Sequence, residues 1–371
     1  MEVLDIIINE PFSSTKTKLE NLGLVVKEYP KLDLYLVKYN KTKSDMENSD
    51  VKMCRGLIAK MSTNELVCLP PPKSCELHEI YNSIEQWDGL SVEDFLDGTM
   101  INLFFHNDIW MISTRSNIGA NCRWIGKKTF SEMFNEACSL DFSSLDTSKF
   151  YTFVLLHPEN IIVTQYHVPE VVLVSSCSVL NGKVEYHDIY KEMLMVKKPI
   201  RYSFNNMSEI NEFVSKMDYQ KQGIVIKNQQ NKRVKIRNEN YNYAKSLKGN
   251  SNNTKFLYYE NKKYKHIKEY LSFFPQDKEK YSHFNSEFIK LVKDTLNYYR
   301  LYHIKKKITI KQIPFQLRPV CYKLHGMYII RQKPIQFDDV YNYINGLDSA
   351  NIVFILKPNR EVDNSYISAS L

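Results

Sequence analysis

Between residues 99 and 237 apolar runs come in pairs hinged on short polar stretches, and this repetition restricts the fold more than any other feature. TMINLFF and IWMISTR flank His106-Asn107-Asp108, and YTFVLL and IIVTQY flank Pro158-Glu159-Asn160. EVVLVSSCSVL and KVEYHDI flank Asn181-Gly182, and GIVIK faces RVKIR across a polar connection. Each pair predicts an antiparallel hairpin, with Asn-Gly the strongest short-range turn signal. Helical spacing at 123–138 and 207–217 adds flanking helices, so the expected class is α+β, antiparallel sheets with helices. The stretch KGNSNNTK at 248–255 has no apolar residue and reads as a boundary, dividing the chain into domains at 1–250 and 255–371. Beyond it the periodicity changes. Phe284, Phe288, Leu291, Val292 and Leu296 recur at helical spacing, predicting an amphipathic helix over 283–304, with a second at 337–346. The second domain is therefore expected to be mostly helical.

Composition excludes several classes. With 371 residues, 43% hydrophobic and 25% charged, the chain has the balance of a soluble two-domain protein. No apolar run approaches the roughly 18 residues of a membrane span, and the acidic start MEVLDIIINEPF is a poor secretory signal. The seven cysteines are odd in number and form no CxxC pair, which argues against a disulfide framework and a Cys-type zinc site. A reducing, cytoplasmic setting follows, with most thiols in cores. Abundant Asn, Lys, Ile and Tyr suggest an A/T-rich genome such as a virus's, in which case the setting is a host cytoplasm or a virion. The nine histidines form no HExxH spacing, and neither a GxSxG elbow nor a GxxxxGK[ST] loop occurs.

Charge is uneven. Residues 255–371 hold 20 Lys and Arg against 11 Asp and Glu, whereas the rest of the chain holds 30 against 31. A basic domain of this kind points to a polyanion such as RNA. KKYKHIKEY and RLYHIKKK combine cations with stacking surfaces, although the spacing of Tyr298, Tyr299 and Tyr302 fits packing around the helix core better than stacking on bases. In the first domain Arg233, Lys235 and Arg237 fall on one face of a strand, a pattern suited to phosphates. Arg55 lies in the otherwise apolar CRGLIAK and needs an anion or several acceptors. Lys73 follows three prolines that stiffen its approach.

Taken in order, these segments resemble the phage-type, tRNA-repair family of ATP-dependent RNA ligases, within the covalent nucleotidyltransferase superfamily. The resemblance covers about residues 30 to 250. It runs from YLVKYNKTKSDMENSDVKMCRGLIAK through the Pro-rich segment ending at Lys73 to FLDGTMINLFF, similar to the KxDG nucleophile motif, and WMISTRS. YTFVLLHPENIIV, KQGIVIK and RVKIRN follow at the places of the later motifs. The resemblance implies a nucleotidyltransferase (ATP-grasp-like) first domain. It also implies ATP and Mg²⁺ as the cofactors of an active member: a lysine attacks the α-phosphorus, AMP passes to an RNA 5′-phosphate, and a 3′-hydroxyl displaces it.

The chain departs from that pattern where the chemistry lies. Phe95 stands at the nucleophile position, Val154 where a glutamate contacts ribose, and Gln222 where a second glutamate favours the metal. A phenyl ring has no lone pair to attack phosphorus, valine accepts no hydrogen bond, and glutamine lacks the charge. Arg55, Lys73, Lys235 and Arg237 are kept as candidate phosphate contacts, with Asp97 and Gly98 shaping the turn. Three functions are open on these residues. The leading one is an inactive ligase relative that binds RNA ends or a nucleotide, with no fixed need for ATP or Mg²⁺. The second is an active ligase using a substitute lysine, with Lys38, Lys73 and Lys221 in or near the matched segments. The third is a structural or assembly subunit of a viral particle or complex.

Overall fold

The structure is a computed structural model that describes residues 3–81, 90–124, 126–180, 183–192, 195–229, 231–249, 251 and 253–357. The chain divides into two compact units, Met1–Lys245 and Ser246–Leu371. In chain order the strands are β1 Leu24–Tyr29, β2 Leu34–Tyr39, β3 Arg55–Lys60, β4 Leu66–Cys68, β5 Ser91–Asp94, β6 Thr99–His106 and β7 Ile109–Thr114. They continue with β8 Asn117–Ile118, β9 Lys149–Leu156, β10 Glu170–Leu180, β11 Lys183–His187, β12 Arg201–Tyr202, β13 Gly223–Lys227 and β14 Arg233–Arg237. These form three antiparallel sheets, ordered β1-β2-β3-β4, β11-β10-β9-β6-β7-β8 and β12-β5-β13-β14. The α+β expectation holds.

Three of the four expected hairpins form. The β6–β7 turn places Asn107 and Asp108 at φ 48° and 62°, the twist that two-residue hairpins require and that Asn and Asp tolerate. β10 pairs with β11, and β13 with β14; the Asn181-Gly182 turn lies outside the described residues. The second run of the Pro158 pair is not a strand. Asn160 donates to the Thr99 hydroxyl at 2.8 Å, and the Val163 and Thr164 N–H groups each donate to Asp97 at 2.9 Å. Backbone groups engaged by a buried carboxylate are withdrawn from any ladder, so β9 pairs instead with β6 and β10.

Period-two alternation decides where the site can lie. In the central sheet Ile101, Leu103, Tyr151, Phe153 and Leu155 point to one face. There they bury the helix Phe130–Ala137, whose Thr129 and Glu132 form a reciprocal cap. Met100 and Val154, on alternate positions, point to the other face. In the third sheet Val92, Ile224 and Ile226 pack with Ile210 and Val214 of the helix Met207–Ser215, which turns Val225 and Lys227 the opposite way.

The second unit is helical, as expected. Its long helix, Lys278–Tyr299, buries Tyr281, Phe288, Leu291, Val292, Leu296 and Tyr299, then widens into a π turn over Arg300–Ile304. The helices Arg318–Arg331 and Phe337–Asn345 pack against it. Tyr299 is core, and Tyr298 and Tyr302 are half-buried, in line with packing rather than a free stacking surface. Four of the seven cysteines are buried and all are free. Among the described residues no helix is long and apolar enough to cross a membrane.

Candidate phosphate site

The alternate faces of the central and third sheets enclose a cavity of about 110 Å³. Met100, Val154 and Val174 line it from one sheet, Val225, Lys227, Arg233 and Lys235 from the other, and Arg55 enters from the start of β3. Val174 shares the face of Val172, which pairs with Val154, and is the residue left without a partner where β10 bulges between Leu173 and Ser175. Lys227 faces Arg233 directly across β13 and β14, a like-charge pairing that costs stability unless it is compensated. The compensation comes from β5. Glu93 accepts from the Lys227 amine at 2.5 Å, and the Val174 carbonyl accepts from the same amine at 3.0 Å.

The other cations have no such partner. Among the described residues no carboxylate forms an ion pair with Arg55, Arg233, Lys235 or Arg237. Arg233 is buried and donates to the carbonyls of Pro71 (3.2 Å) and Pro72 (2.6 Å), while its Nε has no partner among the described residues. Burial, reinforced by Arg55, brings the Arg233 guanidinium down to about 9. The Lys235 amine falls further, to about 6, through burial first and then the charges of Arg233, Arg55, Arg237 and Lys245. Arg55 is also lowered, chiefly by burial, and its Nη1 lies 3.4 Å from the Met100 sulfur. The second available carboxylate, Asp94, already accepts from the Tyr202 hydroxyl at 2.6 Å. The cavity is therefore short of negative charge.

Phe95 lies at the centre of this array. Its ring centroid is 4.5 Å from the Lys235 Nζ and 5.3 Å from the Arg237 guanidinium carbon, so the ring face receives two cations. Its backbone is fixed by donation to the Gly223 carbonyl at 3.0 Å. Gly223 is required there: at φ 128° a Cβ would stand 2.1 Å from the Ile236 carbonyl oxygen.

The sequence-predicted residues separate into two groups. Arg55, Phe95, Gly98, Val154 and Lys235 line the cavity, and Arg237 touches it through Phe95. Asp97, Gln222 and Lys73 do not line it. The Asp97 carboxylate accepts from Val163, Thr164 and the Tyr241 hydroxyl (2.6 Å), which makes it a structural tie. Gln222 is buried beside the cavity wall, and its carbonyl accepts from the Asn238 N–H at 3.1 Å. Lys73 docks by its backbone on Lys52, and the proline segment serves the site through the Pro71 and Pro72 carbonyls. Of the other lysines weighed, Lys38 donates to Ser116 at 3.0 Å, and neither it nor Lys221 lines the cavity. Glu93 and Lys227 were not singled out from the sequence. Their link depends on the β5–β13 register, which no local pattern encodes.

This is a cavity between two antiparallel sheets in which basic side chains outnumber carboxylates. The chain matches no model of a known protein family. It is 24% identical over 237 residues to the "Putative bifunctional polynucleotide kinase/RNA ligase" of Autographa californica nuclear polyhedrosis virus. That similarity covers 58% of this chain and 34% of the relative, so the chain spans about a third of the length of the curated relative it matches. Among solved structures it is similar to an archaeal ATP-dependent RNA ligase (TM-score 0.46, 11% identity, 64% of this chain and 67% of that one). A putative ATP-dependent DNA ligase from Aquifex aeolicus gives a TM-score of 0.42 at 12% identity, with 93% and 78% covered. The Naegleria gruberi RNA ligase with pyrophosphate gives 0.35 at 12% identity, with 47% and 57% covered. The sequence relationship is thus RNA ligase-like, the class the ordered motifs resemble.

Proposed function

We propose that this chain is an RNA ligase-like protein that holds the phosphate of an RNA end or a nucleotide in the cationic cavity and does not adenylylate itself. The observation that carries the reading is the Phe95 ring, set among Lys235 and Arg237 where the resemblance requires an amine. The cavity keeps what attracts a phosphate and carries no amine at the Phe95 position.

The cofactors of an active member do not fit the residues present. With Val154 and Gln222 at the two glutamate positions, and with Glu93 and Asp94 already engaged by Lys227 and Tyr202, no free carboxylate is offered to a divalent ion. Among the described residues no group of three or more His, Cys, Asp or Glu is placed to hold a metal.

One observation favours a second reading, an active enzyme with a relocated lysine: the Lys235 amine sits in the cavity and is brought down to about 6, so it is largely unprotonated at neutral pH. Incubation with α-labelled ATP and Mg²⁺ or Mn²⁺, then denaturing electrophoresis, separates the two. The expected result is no label on the wild-type chain. Label that survives denaturation and disappears in Lys235→Gln would replace the leading reading with the second.

A further inference from the structure

The size and charge of the cavity together specify its ligand more narrowly, provided the phosphate-binding reading above holds. Small-molecule pockets begin at roughly 300 Å³. This one is about 110 Å³. That is far below the room a base and its sugar need to be enclosed together; a group of about four heavy atoms beyond its bridging oxygen needs much less. The closure has identifiable causes. The Phe95 ring and the Val154, Val174 and Met100 side chains occupy the walls with apolar volume, leaving no acceptor for a ribose hydroxyl on that side.

The lining carries Arg55, Lys227, Arg233 and Lys235 against Glu93 and Asp94, a surplus of two positive charges when Lys235 is protonated. The Glu93–Lys227 pair cancels internally. That leaves two guanidinium groups and one amine converging on one small space, with the Arg233 Nε unpartnered and buried. A terminal phosphate, with a second ionisation near pH 6, supplies two negative charges and several acceptor oxygens. A bridging phosphodiester supplies one charge and has chain on both sides.

We infer that the cavity takes a single terminal phosphate monoester dianion, with the sugar, base or strand that bears it left outside. The ligand is read by its phosphate alone. This sets the site apart from a nucleotide pocket, in which the base contributes affinity. Lys235 supports the assignment as the group that the arriving dianion would recharge.

The test compares ligands that share the phosphate and differ in everything else. A labelled single-stranded oligoribonucleotide is titrated by fluorescence anisotropy with a 5′-phosphate, a 3′-phosphate or hydroxyls at both ends. Inorganic phosphate, ribose 5-phosphate, AMP and adenosine then serve as competitors. One or both phosphorylated ends should bind about tenfold or more tightly than the hydroxyl-ended strand, and which end does so identifies the source. Ribose 5-phosphate and AMP should compete within about twofold of each other, and adenosine should not compete. The preference should vanish in Lys235→Gln and in Arg55→Gln, whose folding is checked by circular dichroism, while binding of the hydroxyl-ended strand persists. If AMP competes tenfold better than ribose 5-phosphate, the inference fails and phosphate binding at this site stands. If phosphorylated and hydroxyl-ended strands bind alike while AMP still competes, the inference fails in the same way. If neither phosphate, AMP nor any phosphorylated end binds, the underlying reading fails as well.

Discussion

Each of the two units buries polar groups that lack partners, and the contrast between them separates a site from a packing defect. In the sheet unit three basic groups without a carboxylate partner among the described residues converge on a cavity: Arg233, whose Nε also lacks any hydrogen-bond partner there, Lys235 and Arg55. In the helical unit the comparable cluster is neutral. Thr295 Oγ1, Tyr299 OH, His303 Nε2 and His325 Nδ1 have no hydrogen-bond partner among the described residues. Yet His303 and His325 stack at 4.0 Å, and Tyr299 lies 5.4 Å from His303. A neutral orphan costs about one lost hydrogen bond and can be tolerated where rings pack well. A group of like charges repels itself at every distance and is relieved by an anion. The first arrangement points to a ligand and the second does not.

Removing the scaffold beneath the cationic cavity should have the largest effect. Gly223→Ala places a Cβ against the Ile236 carbonyl at a φ of 128°, and it should cost about 4 kcal/mol or more in urea unfolding. A loss below 1 kcal/mol would mean that β13 and β14 can shift, and that the geometry around Phe95 is not fixed. Next comes the buried amine itself. Lys235→Met should stabilise the ligand-free protein by about 1–3 kcal/mol, because it removes a buried amine that has no carboxylate partner. It should also abolish the stabilisation that millimolar phosphate gives the wild type in thermal melts. Destabilisation of the ligand-free protein by this substitution would mean that the amine has a partner, and the contrast with the helical unit would break.

The pH response should differ between the units in its window. Lys235 titrates at about 6 in the folded chain against an ordinary 10.5. Between those values the unfolded chain holds the proton that the folded chain has released, so stability rises with pH there and is lost as pH falls towards 6. His303 is brought down to about 4 from 6.5, by burial first and then by His325 and Lys306. Its contribution is therefore complete above 6.5 and lost as pH falls towards 4. Hydrogen exchange followed by segment should show protection of β13 and β14 increasing from pH 7 to 9, with the Lys278–Tyr299 helix unchanged after correction for the intrinsic rate. Between pH 6.5 and 4.5 the helix should lose protection, and His303→Phe should remove that loss. Equal responses in both units would show that neither group controls its own region.

Much of this was legible in the sequence where the pattern is local. The alternation of Arg233, Lys235 and Arg237 placed these side chains around the site, and the Asn107-Asp108 turn fixed the β6–β7 hairpin. Where local pattern and tertiary demand compete, the sequence misleads. IIVTQY has the composition of a strand, but Asp97, some 66 residues earlier, takes two of its N–H groups. The same distance effect hides the roles of Pro71 and Pro72. Their carbonyls hold an arginine about 160 residues away, whereas the sequence directs attention to the neighbouring Lys73. Glu93 and Lys227 meet only once β5 and β13 are in register. Phe95, Val154 and Gln222 could be read directly, because they are identities. The charge deficit could not, because it is a property of several strands at once.

The smallest effect offers the sharpest test of the contrast. Tyr299→Phe removes a buried hydroxyl that has no partner among the described residues and leaves the ring in place between His303 and His325. Deleting a polar atom that makes no hydrogen bond recovers its desolvation cost and loses almost no packing, so stability should stay within about 0.5 kcal/mol of the wild type or rise by up to about 1 kcal/mol. Phosphate affinity should not change. A loss of more than about 1 kcal/mol would show that the hydroxyl is bonded, to a trapped water or to a neighbour whose ring turns in solution. The helical unit would then carry a satisfied polar network rather than tolerated orphans. In that case an unpartnered buried atom would no longer distinguish the two units, and the sign of the charge would be the remaining criterion for a site.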